Sequence, residues 1–116
     1  MIADDNFDMR LLVRATLGSD ARVDVVAEAE DGTTALEAFR ESRPDVCVLD
    51  YRMPGLTGLE AGALIVAERP ETKVLLFSAY LTPEITDAAD ELGMVCLRKD
   101  LFMELPNAVI GLARDA

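Results

Sequence analysis

The sequence predicts a doubly wound α/β fold built on a parallel sheet, and three observations carry that expectation. Five strand-like runs alternate with five helix-like stretches, in units of about 23 residues. Such an alternation builds a parallel sheet with right-handed crossovers and helices on both faces. The strand-like runs are short and continuously apolar, as in strands covered on both sides. Carboxylates then close two of these runs. Asp4 and Asp5 follow Met1-Ile2-Ala3, and Asp50 follows Val46-Cys47-Val48-Leu49. Ligands of open α/β sheets bind outside the carboxyl ends of the strands, at the point where strand order reverses. The order 2-1-3-4-5 makes the first and third strands neighbours there and brings the three aspartates together. Periodicity alone does not select this order; the aspartates do.

Taken along the chain, residues 1–4 form the first strand, and Asn6 caps the helix after it. Residues 7–18 form that amphipathic helix, with Phe7, Leu11, Leu12, Ala15 and Gly18 on one face and Asp8, Arg10 and Arg14 turned away. Residues 23–29 are the second strand. Asp31-Gly32 makes a turn into a helix over 33–42, where Ala35, Leu36, Ala38 and Phe39 recur at helical spacing and Pro44 forbids continuation. Residues 45–50 are the third strand, followed by a long loop, 51–57, that holds Pro54 and Gly55. The helix over 58–68 turns Ala61, Leu64, Ile65 and Val66 toward the sheet, and Pro70 ends it. Residues 73–78 are the fourth strand. Thr82-Pro83-Glu84 has the chemistry of a helix start: a hydroxyl cap, Pro at the first helical position and acid in the first turn. That helix reaches Leu92 and stops at Gly93. Residues 94–97 are the fifth strand, and a last helix over 105–114 begins close to Pro106.

Composition narrows the function. At 116 residues and 51% hydrophobic, the chain supplies one domain with a core of its own. A net charge of −11 repels nucleic acid and anionic membrane, so no direct nucleic-acid or membrane binding is expected. The absence of histidine removes a Ser-His-Asp triad, a phosphohistidine relay and a His-ligated zinc site. Cys47 and Cys96 sit inside separate apolar runs on strands expected to be non-adjacent, so they read as small buried hydrophobes rather than a bridge or a metal pair. Unpaired thiols suit a reduced, cytoplasmic compartment. No apolar run approaches the length of a membrane span. The first residues lack the basic region of a signal peptide.

The aspartate cluster is an electrostatic problem. Two like charges about 4 Å apart repel by roughly 4 kcal/mol at an effective dielectric near 20. A divalent cation with oxygen ligands is the natural counter-charge, which points to metal-assisted phosphoryl chemistry at Asp50.

With these residues in place, the chain resembles the receiver domain of a two-component response regulator, a flavodoxin-like (βα)5 three-layer sandwich. The resemblance covers essentially the whole chain. It rests on Asp4-Asp5 after the first strand, Asp50 ending the third, Met53-Pro54-Gly55 with Gly58 beyond it, Ser78-Ala79 ending the fourth, and Lys99 after the fifth. Arg52-Met53-Pro54-Gly55 and Leu97-Arg98-Lys99-Asp100 look most like the subfamily with a helix-turn-helix DNA-binding output domain. The resemblance implies that Asp50 is the phosphoacceptor for a sensor histidine kinase. It implies that Asp5 and Asp50 ligate Mg2+ (or Mn2+), that Asp4 holds the metal through water, and that the backbone carbonyl of Arg52 is the remaining protein ligand. Ser78 would be the switch hydroxyl and Lys99 the counter-charge to the phosphoryl group. Phosphorylation would alter the surface of strand 4, helix 4 and strand 5, to control an output such as transcription. Homodimerisation and an output domain in a longer chain are further implications.

The chemistry of these residue types agrees. Phosphoryl transfer asks for positioning and charge neutralisation more than for covalent machinery. A carboxylate nucleophile gives an acyl phosphate, and the added group brings about −1.5 to −2 charge.

Three departures from the family pattern carry their own expectations. The first strand is short, so either the natural start lies upstream or the sheet tolerates a clipped central strand; each missing buried side chain forfeits roughly 1.5–3 kcal/mol. Cys96 stands where the family usually has an aromatic switch residue, with Tyr80 a candidate substitute. Asp100 follows Lys99 where Pro is common, so a trans peptide is expected at that bond.

Each residue alone has a blander reading. The Asp4-Asp5 pair could serve a helix dipole, Ser78 and Lys99 could be ordinary strand-end side chains, and Met53-Pro54-Gly55 could be a turn. Their joint order favours the receiver. Other functions compete less well. An aspartyl phosphohydrolase would want an acid two residues after its nucleophile, where Arg52 stands. A flavin module would want a phosphate-cradling first loop, which Asp4-Asp5-Asn6 would repel. A receiver-like scaffold that does not cycle phosphate is the main alternative.

Overall fold

Four consecutive buried apolar residues, Val46–Leu49, make β3, and Lys73–Ser78 makes β4 beside it. Both faces of these strands are covered, so the continuous apolar pattern read from the sequence is the pattern a central strand needs. Around them, a computed structural model describes residues 1–114 as five β-α units: β1 (Ile2–Ala3), α1 (Phe7–Gly18), β2 (Glu28–Ala29), α2 (Gly32–Ser42), β3, α3 (Gly58–Glu68), β4, α4 (Pro83–Glu91), β5 (Val95–Arg98) and α5 (Leu105–Arg114). A short 3₁₀ helix over Lys99–Glu104 links β5 to α5. All strands are parallel and lie in the order β2-β1-β3-β4-β5. The expected doubly wound architecture and strand order are therefore present.

The sheet separates two apolar layers. Ile2, Val46, Val48, Leu75 and Phe77 pack against Val13 and Leu17 of α1 and Leu105 and Val109 of α5. Ala3, Cys47, Leu49, Val74 and Leu76 pack against α2, α3 and α4, chiefly through Ala35, Phe39, Ala61, Ile65 and Ala89. This is the period-two alternation of a strand, each residue facing the layer opposite to its neighbour.

The local signals act as their chemistry requires. Asn6, Asp31, Thr57 and Thr82 cap α1 to α4, each side-chain oxygen accepting a backbone N–H of the first turn. Thr57 and Glu60 form a reciprocal capping box. Asp31 is thus the cap of α2 and Gly32 its first residue, rather than a separate turn. Gly93 adopts φ +77° just after α4, as a helix stop does.

Several expectations need correction. α1 buries Val13 and Leu17, while Phe7, Leu11 and Leu12 are exposed. The helix carries two apolar stripes, and the short β1–α1 connection, with Asn6 Oδ1 accepting the Met9 N–H at 2.9 Å, sets which one meets the sheet. Arg10 accordingly turns inward, donating to the Asp4 carbonyl at 2.7 Å. On α3, Gly62 rather than Leu64 faces the core; Leu64 is exposed, and Gly62 sits against Met94. β2 pairs over only two residues, not seven, because its partner β1 is itself two residues long. β5 runs one residue later than expected. The 3₁₀ turn at 99–104 has no apolar periodicity that would announce it. The Lys99–Asp100 peptide is trans, as expected. Cys47 and Cys96 are free thiols on β3 and β5, with β4 between them. Among the described residues, no helix is long and apolar enough to cross a membrane.

Candidate functional site

The β1–β3 ladder runs one step past the strands themselves. Asp50 N–H donates to the Ala3 carbonyl at 2.9 Å, and Asp4 N–H to that of Ala29 at 3.1 Å. These bonds fix Asp4 and Asp50 side by side at the carboxyl edge, both buried, with Asp5 exposed at the mouth. Carboxylate oxygens of Asp4, Asp5 and Asp50 all lie within 4.8 Å of one another. The convergence inferred from strand order is therefore realised.

Lys99 supplies the positive charge. Its Nζ lies 2.7 Å from Asp4 Oδ2 and 3.1 Å from Asp50 Oδ2, and its side chain is mostly enclosed. Lys99 opens the 3₁₀ helix after β5, so β5 delivers it across β4 to the edge of β1 and β3. Burial opposes its charge, yet hydrogen bonds and attraction from Asp4 and Asp50 hold its pKa above the ordinary value. Burial also raises the pKa of Asp50, with Lys99 pulling against that and the charge of Asp4 adding to it. The site thus pays desolvation for an acid kept close to a fixed cation.

Ser78 ends β4, fully buried, and its Oγ accepts the Tyr80 N–H at 3.1 Å. The hydroxyl also works to lower the Asp50 pKa. Arg52 lies exposed in the loop after β3, and its guanidinium stacks on the Tyr80 ring, 3.5 Å from the centroid. That stack joins the β3–α3 loop to the β4–α4 loop beside the acidic cluster, and the sequence reading missed it. The only available signal was that Arg52 and Tyr80 each stand two residues beyond a site residue. Cys96 is half-buried on β5 and packs with the α2–α4 layer.

Two glycines permit the loop that shelters Asp50. Gly58 N–H donates to the Tyr51 carbonyl at 2.8 Å. A Cβ on Gly58 would lie 2.1 Å from the Asp50 carbonyl oxygen, closer than any side chain allows. Gly55 holds φ +79°, a left-handed conformation that glycine adopts without strain.

An all-oxygen donor set of three carboxylates at one strand edge fits a hard divalent cation. The surrounding fold is a doubly wound sheet with its acids at the switch point, where ligands of open α/β sheets bind. Residues 1–105 match the response regulator receiver domain family, and the chain belongs to that family.

The probable transcriptional regulatory protein NarL of Mycobacterium tuberculosis is 36% identical over 116 residues, covering 98% of this chain and 54% of that protein. The chain therefore spans about half the length of that relative. The signal receiver domain of the putative response regulator NarL from Mycobacterium tuberculosis superposes with a TM-score of 0.92 at 38% identity, covering 99% of this chain and 94% of that one. A LuxR-family two-component response regulator from Aurantimonas sp. SI85-9A1 gives a TM-score of 0.93 at 28% identity, covering 99% and 84%. These relatives agree with the expected subfamily.

Proposed function

We propose that this domain is a phosphoacceptor switch in which Asp50 takes a phosphoryl group from a sensor histidine kinase. The observation that carries the reading is the Lys99 ammonium bound to both Asp4 and Asp50, with Asp5 beside them. An Asp50 carboxylate oxygen attacks phosphorus, the P–N bond to the kinase imidazole breaks, and its electron pair leaves with that ring. Asp5 and Asp50, the Arg52 backbone carbonyl, and Asp4 through water are the groups that would hold Mg2+ or Mn2+. When bound, the cation neutralises charge on the transferring group. Lys99 then faces the phosphoryl oxygens as a fixed counter-charge. The Ser78 hydroxyl turns from the Tyr80 N–H to donate to one of them. Self-phosphorylation and self-dephosphorylation at Asp50 are the only chemistry the domain needs.

That reorientation loosens the β4–α4 loop and shifts the surface of β4, α4 and β5, a population change of the kind small switches use. The relative's printed description as a transcriptional regulatory protein supports a DNA-binding output in a longer chain. A cytoplasmic setting and a homodimeric active form accompany this reading. Beryllofluoride with Mg2+ tests it by NMR. Shifts should appear at Asp50, Ser78, Tyr80 and along β5, and vanish in Asp50→Asn. An unchanged spectrum in the unmodified protein contradicts the proposal.

A further inference from the structure

Two of the three clustered carboxylates leave the sheet on one short connection, and the first of them is anchored at all four of its polar atoms. Asp4 N–H donates to the Ala29 carbonyl at 3.1 Å. Asp4 Oδ1 accepts the Asn6 N–H at 2.9 Å, and Oδ2 lies 2.7 Å from Lys99 Nζ. The Asp4 carbonyl oxygen accepts from Arg10 Nη1 at 2.7 Å. Asp5 is exposed, and among the described residues it joins no ion pair.

Arg10 behaves unlike the other arginines near it. Arg14, Arg22, Arg40, Arg69 and Arg98 each pair with a carboxylate. Among the described residues Arg10 does not, although Glu28 and Glu30 line the same cavity of about 360 Å3. It stands near the amino end of α1, where the helix dipole disfavours a cation. Its guanidinium lies 5.6 Å from the centroid of the Phe7 ring, which is largely exposed. The side chain is thus held between an aromatic face and one backbone oxygen. A guanidinium is planar and always charged, so a bond this short fixes the direction of the carbonyl as well as its distance. The Asp4 carbonyl and the Asp5 N–H belong to one rigid peptide plane. Fixing that plane fixes where the Asp5 side chain starts.

We propose that Arg10 is a positioning residue for the cation site, pinning the Asp4–Asp5 peptide and so aiming the Asp5 carboxylate into the space shared with Asp4 and Asp50. The inference rests on the proposed role of Asp5 as a direct ligand of Mg2+. The Asn6 and Lys99 contacts hold the Asp4 side chain; the Arg10 bond holds the peptide beyond it. Charge and position make opposite predictions here. A cation beside three carboxylates competes with a metal ion for them, so loss of the charge alone would tighten metal binding. Loss of position loosens it, since groups that orient a metal ligand carry roughly 10–100-fold in affinity.

The test compares the 116-residue chain with Arg10→Met, Arg10→Gln and Arg10→Lys by NMR, at fixed ionic strength and with no phosphoryl donor. In the metal-free proteins, the Asp5 N–H order parameter should fall from about 0.85 toward about 0.6 in Arg10→Met, while those of Asp4 and Asp50 stay at the parent value. Titration with MgCl2 should show about tenfold weaker binding to Arg10→Met. Arg10→Gln, two bonds shorter than arginine, should lose as much, and it decides the matter if Arg10→Met does not fold. Arg10→Lys keeps the charge and one donor, and should recover part of the loss. Unchanged or tighter Mg2+ binding by the neutral variants, or an Asp5 amide as ordered in them as in the parent, overturns this inference alone. A parent chain that binds no Mg2+ overturns the proposed metal site and this inference with it.

Discussion

Replacing Lys99 with methionine removes the site's cation and keeps most of its stem. The ammonium lies 2.7 Å and 3.1 Å from two carboxylates. At an effective dielectric near 20 these separations correspond to attractions of about 6 and about 5 kcal/mol. Desolvation of three charged groups offsets most of that, so the pair sum is not the cost of the mutation. The cost is what remains when Asp4 and Asp50 face one another without a counter-ion. Removing one partner of a buried ion pair costs about 3–5 kcal/mol. The Lys99 side chain is 15% exposed, which places this case near the lower end. Lys99→Met should therefore lose about 3 kcal/mol of folding stability, seen as a fall in Tm of roughly 10 °C or more. Excess Mg2+ should return most of the loss, because a cation among Asp4, Asp5 and Asp50 does the same neutralising work. Urea unfolding of the variant and the parent, each with and without Mg2+, gives the answer. A loss under about 1 kcal/mol, or a loss that Mg2+ leaves unchanged, refutes the electrostatic account of the site.

Single contacts supply the other predictions. Gly58→Ala forces a methyl against the Asp50 carbonyl; it should cost about 3 kcal/mol or more by overpacking and displace Asp50, seen in urea unfolding and in Asp50 amide shifts. Arg52→Ala and Tyr80→Ala should each lose only about 0.5–1 kcal/mol, and the double variant no more than one of them, since both remove one exposed cation–π stack. The Met1 amine gives a pH signature. Burial lowers its pKa, with Cys47 and Asp45 pulling the other way. The folded chain therefore binds fewer protons at that nitrogen than the unfolded chain. Its contribution to stability should rise with pH through the window between the folded pKa and the ordinary amine value near 8. Amino-terminal acetylation should remove that slope in urea unfolding at several pH values.

Much of the fold was legible because the strands that decide it are buried on both faces. Val46–Leu49 and Val74–Phe77 read as continuous apolar runs that Asp50 and Ser78 close, while Lys99 follows the partly exposed edge strand β5. That Asp4, Asp5, Asp50 and Lys99 meet at one sheet edge was therefore readable as a consequence of topology. The rotation of α1 was not, because Phe7, Leu11 and Leu12 make as good a stripe as Met9, Val13 and Leu17. The capped connection from β1 decides between them, and that is a three-dimensional constraint. β2 is shorter than its residues suggest for a related reason. Valines 23, 25 and 26 have strand propensity, but a parallel strand needs a neighbour, and β1 offers two residues. The Arg52–Tyr80 stack joins loops 28 residues apart, and no local pattern announces it.

Phosphoryl transfer to Asp50 is tested most directly by one intact-mass measurement of protein incubated with acetyl phosphate and Mg2+. A single added phosphoryl group is predicted, absent when Mg2+ is chelated and absent in Asp50→Asn while that variant remains folded. No adduct on the unmodified protein, or an undiminished adduct on Asp50→Asn, would contradict the assignment.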